Sequence, residues 1–173
     1  MCILILTACP RSSGRMMCAR YLPTIAMMVR GADMPLIDIQ PEGWKAPKGY
    51  ANGMTGTGRL LLVGGQIGWT ADQRFEAHDF IGQMTQALRN ILDIVEAAGG
   101  TAQDIARLTW YVTDKKEYLA HQREVGAAYR TVMGYHFPAM TMVVVSALVE
   151  DEARVEIEAT AILQDETRIT GGD

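Results

Sequence analysis

Near the C-terminal end of the chain, in the segment VEIEATAIL, Glu156 and Glu158 are separated by one residue, and Arg154 precedes them at the same spacing. Side chains two apart on an extended strand share a face, so the two carboxylates would stand about 7 Å apart with a cation beside them. That arrangement suits general acid–base work. The same alternation is also that of a solvated sheet face, and the spacing alone leaves both readings open. Tyr50 closes the loop segment PKGY, where a phenol serves either as a proton-bearing group or as a strand aromatic anchored by its hydroxyl. Gly64 and Gly65 interrupt the apolar run of VGGQIG, as expected of a bulge or of a place where a ligand approaches the backbone. No G-x-G-x-x-G pattern accompanies them, so they do not make a nucleotide cradle. His78, His121 and His136 lack ligand spacing, and no metal site is expected. Of the three, His136 stands just before an apolar strand and is kept as a proton carrier or anion contact. Trp69 and Trp110 suit core or subunit-contact positions, or a platform for a ligand.

Composition narrows the classes of protein to consider. With 173 residues, 49% hydrophobic and 21% charged, the chain can bury a core of its own as a single domain. The cysteines, Cys2, Cys9 and Cys18, all fall in the first eighteen residues, so the body has no disulfide framework and suits a reducing compartment such as the cytoplasm. Residues 1–33 carry Arg11, Arg15, Arg20 and Arg30 against Asp33 alone, which leaves the remainder more acidic than the formal net charge of −4. An acidic body without a basic, aromatic-interleaved stripe disfavours nucleic-acid binding.

The same 33 residues differ in character from the rest. They are rich in Met, Cys and Arg, are broken by Pro10 and Pro23, and hold no helical period. Their longest apolar run, Cys2 to Cys9, is far short of the roughly 18 residues of a membrane span. Leu6-Thr7-Ala8-Cys9 has the look of a lipoprotein box but lacks a basic start and a full hydrophobic stretch before it, and an arginine-rich leader also fits a transit peptide. The favoured expectation is a leader, residues 1–33, that is disordered or lies upstream of a true start at Met34, with the folded domain occupying 34–173.

Periodicity supplies the elements that must position the candidate residues. A short strand is expected at Leu36–Ile39, then a hairpin of Tyr50–Thr55 and Arg59–Ile67 about Gly56-Thr57-Gly58. Ile81, Met84, Leu88, Ile91 and Val95 recur at helical spacing from Phe80 to Ala98, with Asp79 as cap and Gly99-Gly100 as stop. Ile105–Thr113 alternates as a strand. Asp114-x-x-Glu117 opens a second helix running to Met133, ended by Gly134. Met140–Leu148 and Ala153–Leu163 complete the chain as strands about Glu150-Asp151-Glu152. This order predicts an α+β fold, a single mixed β-sheet with two helices on one face. Because MTMVVV is apolar on both sides of its strand, the helix-free face is expected to be covered as well, by copies of the same chain.

Five short segments in this order carry a family resemblance: PKGY ending at Tyr50, VGGQIG at Val63–Gly68, NILDIVEAAG at Asn90–Gly99, FPA at Phe137–Ala139 and VEIEATA at Val155–Ala161. Together they resemble the Rid (YjgF) family, from about Ile37 to Leu163. The resemblance implies a chorismate-mutase-like fold assembled as a homotrimer with clefts between subunits. It also implies hydrolysis of a reactive imine or enamine to a carbonyl compound and ammonia, without a cofactor. An imine carbon is already electrophilic, so such a site need only orient the substrate, place water and move protons. Carried over position by position, Glu156 falls on the family's site glutamate, Tyr50 on its cleft tyrosine and Gly65 on the glycine whose backbone approaches the ligand, which makes Glu156 and Tyr50 the candidate catalytic residues. Thr141, Trp110 and His136 join them as candidate substrate contacts.

Met140 falls where the family's deaminases carry the arginine that grips a substrate carboxylate. A thioether offers no charge and only a weak acceptor in place of a bidentate guanidinium. The resemblance therefore implies a divergent subgroup acting on a small-molecule imine or enamine other than 2-aminoacrylate, with a more apolar body against Met140. The alternatives are a non-catalytic trimer that binds a small metabolite as sensor or carrier, and a structural trimer partnering a pathway enzyme. Neither nucleic acid nor membrane is expected among its partners.

Overall fold

The computed structural model describes residues 35–164; the expected leader, 1–33, lies outside them. Two short strands, β1 (Ile37–Asp38) and β2 (Met54–Thr55), pair with each other. The chain then forms β3 (Arg59–Ile67), α1 (Phe80–Ala97), β4 (Ile105–Val112), α2 (Lys115–Ala120), α3 (Gln122–Met133), β5 (Ala139–Val144) and β6 (Val155–Leu163). The main sheet has the order β3-β6-β4-β5, with β6 antiparallel to both of its neighbours and β4 parallel to β5. It is one mixed sheet, and α1 and α3 pack on one of its faces.

Helix α1 forms where expected because its apolar stripe has a sheet to cover: Met84, Leu88, Ile91 and Val95 are fully buried. Asp79 accepts a hydrogen bond from the Gly82 amide at 2.9 Å, satisfying a first-turn donor, and Gly99 ends the helix with φ +88°. On β6 every second residue from Val155 to Leu163 is buried against the helices, beside Leu108, Trp110 and Val112 of β4. The intervening residues, Glu156, Glu158, Thr160 and Ile162, lie on the opposite face. There Leu60 and Leu62, the direct partners of Ile162 and Thr160, are 61% and 71% exposed.

Three expected features take another form. Tyr50–Thr55 is not a hairpin arm against β3: only Met54 and Thr55 are extended, and β1 rather than β3 takes their backbone groups. Tyr50 itself sits in a bend, and Ala51 donates to the Pro138 carbonyl at 3.0 Å, which docks this loop against the start of β5. The second helix is two helices, broken at His121 (φ −122°, ψ 26°). The His121 ring Nδ1 hydrogen-bonds the Glu117 carbonyl at 2.9 Å, and its amide reaches Tyr118 O rather than continuing the ladder. Strand β5 also ends at Val144, short of Leu148.

Candidate functional site

Strand parity sorts the candidate residues onto the two faces of the sheet. Glu156 and Gly65 meet on the helix-free face. Between Val63 and Gln66 a β-bulge adds one residue to β3, and the glycine within it lies directly under the Glu156 side chain. A Cβ at position 65 would be 2.6 Å from Glu156 Cδ, 2.9 Å from Cγ and closer still to Oε1, so only glycine leaves room for the carboxylate there. Glu158, two residues on, accepts a hydrogen bond from the Tyr111 hydroxyl at 3.2 Å. Partial burial, and then the Glu158 carboxylate, push the Tyr111 phenol above its ordinary value, so it stays a donor. Among the described residues Glu156 has no such partner. Thr141 is exposed on the same face, opposite Thr109, whose buried hydroxyl has no hydrogen-bond partner among the described residues.

On the helix side, Tyr50, Trp110 and Met140 line one groove of about 470 Å³ between β5 and the α2–α3 pair. Its volume is that of a site for a small organic molecule. The groove has an aromatic floor: Tyr129 and Phe137 stack with centroids 5.4 Å apart, and Trp110 lies 6.4 Å from Tyr129. Tyr129 is held by donating to His136 O at 2.8 Å, and burial pushes its hydroxyl well above the usual range, so it remains a neutral phenol. Met140 and Met142 form the β5 wall, and the docking of Ala51 on Pro138 brings Tyr50 to the rim.

His136 stands apart from both places. Its Nε2 is 2.7 Å from Ile105 O, and since a carbonyl only accepts, that nitrogen carries the proton and is committed to the main chain. Other groove residues carried no signal of their own in the sequence. Lys48 and Arg130 are the cationic residues of its walls, and Gly126 lies one helical turn before Arg130. A glycine inside a helix was the one available hint, since it weakens the helix unless space is needed there. Among the described residues no group of His, Cys, Asp and Glu could hold a metal ion, and no helix is long and apolar enough to cross a membrane.

Within one chain, then, an unpartnered carboxylate over a glycine bulge and an apolar groove open on opposite faces of one sheet. Known proteins share the fold. Residues 43–163 match the family model described as Endoribonuclease L-PSP. A 2-iminobutanoate/2-iminopropanoate deaminase of Salmonella typhimurium is 34% identical over 108 residues, 61% of this chain and 80% of the relative. Among solved structures, a protein of the conserved Rid family from Yersinia pestis superimposes with a TM-score of 0.67 at 30% identity, covering 75% of this chain and all of that one. TdcF of Escherichia coli, solved with bound serine, superimposes with a TM-score of 0.52 at 29% identity, covering 68% and 90% of the two chains. The match to most of the chain shows that this protein belongs to the Endoribonuclease L-PSP family, the group of the RutC, YjgF and Rid proteins.

Proposed function

We propose that this protein is a deaminase that hydrolyses a reactive imine or enamine to a carbonyl compound and ammonia, at sites completed between copies of the chain in a homotrimer. The observation that carries the proposal is the Glu156 carboxylate, unpartnered among the described residues and seated over Gly65. A carboxylate so placed takes a proton from water as the water oxygen bonds to the imine carbon. It returns that proton to the imine nitrogen, giving the carbinolamine, and then carries the hydroxyl proton to the same nitrogen as the C–N bond breaks, so one water is consumed and one ammonia released. The names of the similar deaminases support the reaction class.

The distribution of the parts supports the assembly. The Glu156 face carries exposed Leu60 and Leu62, and the Met140 groove opens at the β5 edge. Packing the helix-free faces of copies together would cover those leucines and set one copy's Glu156 near the groove of the next. Met140 argues for a substrate other than 2-aminoacrylate, because position 140 supplies no charge for a carboxylate.

Ammonia release across a panel of enzymatically generated imines tests the proposal. Turnover that falls about a hundredfold or more in Glu156→Gln is expected. No turnover on any member, with tight binding of a keto acid, would instead assign the protein to metabolite binding. Met140→Arg is expected to create activity on 2-iminobutanoate if the proton chemistry is intact. Light scattering should give three times the 19.0 kDa chain mass.

A further inference from the structure

The helix-side groove has an asymmetry of charge that its apolar floor does not explain. Its lining contains Lys48 and Arg130 and no acidic residue, and among the described residues neither side chain forms a salt bridge or a hydrogen bond. Arg130 lies on the exposed side of α3, and Gly126, one turn earlier, also lines the groove. The Arg130 Nη1 lies 3.4 Å from where a Cβ at Gly126 would stand, so the guanidinium lies back along the helix at the groove wall. Glycine inside a twelve-residue helix is an unfavourable choice on entropic grounds, and here it opens space where a ligand would sit. Below, Trp110, Tyr129, Phe137, Met140 and Met142 offer an apolar, polarizable lining.

We propose that this groove takes an organic acid with an aromatic or similarly broad apolar body, its carboxylate held by Arg130 with Lys48 opposite and its body lying on the Trp110–Tyr129–Phe137 floor against Met140. The inference deepens the imine-hydrolysis proposal by naming the substrate class, an aryl-bearing imino acid, for which the corresponding 2-oxo acid is the stable stand-in. Binding energy then comes from an anchor on α3 rather than from position 140, which frees β5 to contribute apolar contact. A short-chain 2-oxo acid would span anchor and floor poorly.

Titration calorimetry on the full chain with phenylpyruvate, its amide and 2-oxobutanoate tests this independently of turnover. Phenylpyruvate should bind at least about tenfold more tightly than either of the others, one charge-assisted contact being worth about that factor. Arg130→Gln, an exposed substitution, should remove the preference for acid over amide while leaving the melting temperature unchanged. Gly126→Leu should abolish binding by filling the groove without loss of helix content. Equal affinity for 2-oxobutanoate, or an unchanged acid preference in Arg130→Gln, would overturn the assignment. Failure of ammonia release with binding intact would count against the hydrolysis proposal alone.

Discussion

Glu156 occupies the space that a side chain at Gly65 would fill, so the two residues form one structural unit although they lie on different strands. The bulge in β3 aims the glycine at the carboxylate, and the carboxylate in turn requires the glycine. Gly65→Ala must therefore displace Glu156. We expect it to lower turnover by a factor similar to that of Glu156→Gln, about 10²–10⁴. The double variant should be no worse than either single one, because both remove the same group. Additive losses in ammonia release would show that Gly65 acts on something else.

The neighbouring carboxylate should behave differently. Glu158 is already engaged by the Tyr111 hydroxyl at 3.2 Å. Glu158→Gln and Tyr111→Phe are expected to change turnover by less than about tenfold, the scale of one modest hydrogen bond. Parallel kinetics on Glu156→Gln and Glu158→Gln distinguish a positioned base from an ordinary sheet-face acid.

Stability depends on a polar residue in the middle of the core. Gln83 is fully buried on α1; its Nε2 donates to Ala77 O at 3.2 Å and Glu152 O at 2.9 Å, and its Oε1 accepts from the Arg154 amide at 2.8 Å. These bonds fix the start of β6, from which Arg154 reaches Glu117 and the His78 carbonyl. Gly68 must be glycine for α1 to come so close, since a Cβ there would overlap Gln83. Gln83→Met keeps the length but leaves backbone groups without partners. A loss of about 2–4 kcal/mol in urea unfolding is expected, on the scale of leaving buried groups unsatisfied.

Much of this architecture was legible in the residues, and the exceptions share a cause. Helix α1 and strand β6 follow their apolar periods because each buries one face against the other. The false hairpin arose because Gly56-Thr57-Gly58 signals a change of direction but not which strand will accept the freed backbone groups; β1 does. The break at His121 is a competition between a side chain and the helix ladder, invisible to periodicity. In the site, Glu156, Gly65 and Tyr50 stand in recognisable motifs, and strand parity already separates Glu156 from its apolar neighbours. Strand order was needed to put Met140 on the other face, with Leu108 as its direct neighbour on the pair β4–β5 and Trp110 beside Met142. Arg130 was hidden for a simpler reason: an arginine on an exposed helix face has the same pattern whether or not it borders a groove.

Tyr129 makes the protein's stability sensitive to alkali. Its phenol is buried, donates to His136 O at 2.8 Å and is held protonated well above the ordinary value of 10.0. In the unfolded chain it ionises near that ordinary value, so above it the native state retains a proton that the unfolded state has lost. Stability is then fully present below about pH 10 and declines as pH rises further, by about 1.4 kcal/mol for each unit between the two values for this one group. Tyr129→Phe should flatten that part of the profile while lowering stability at neutral pH by about 1 kcal/mol, through the lost hydrogen bond to His136. Urea unfolding at intervals from pH 8 to 11 checks both effects, and an unchanged alkaline slope in the variant would assign the sensitivity to another group.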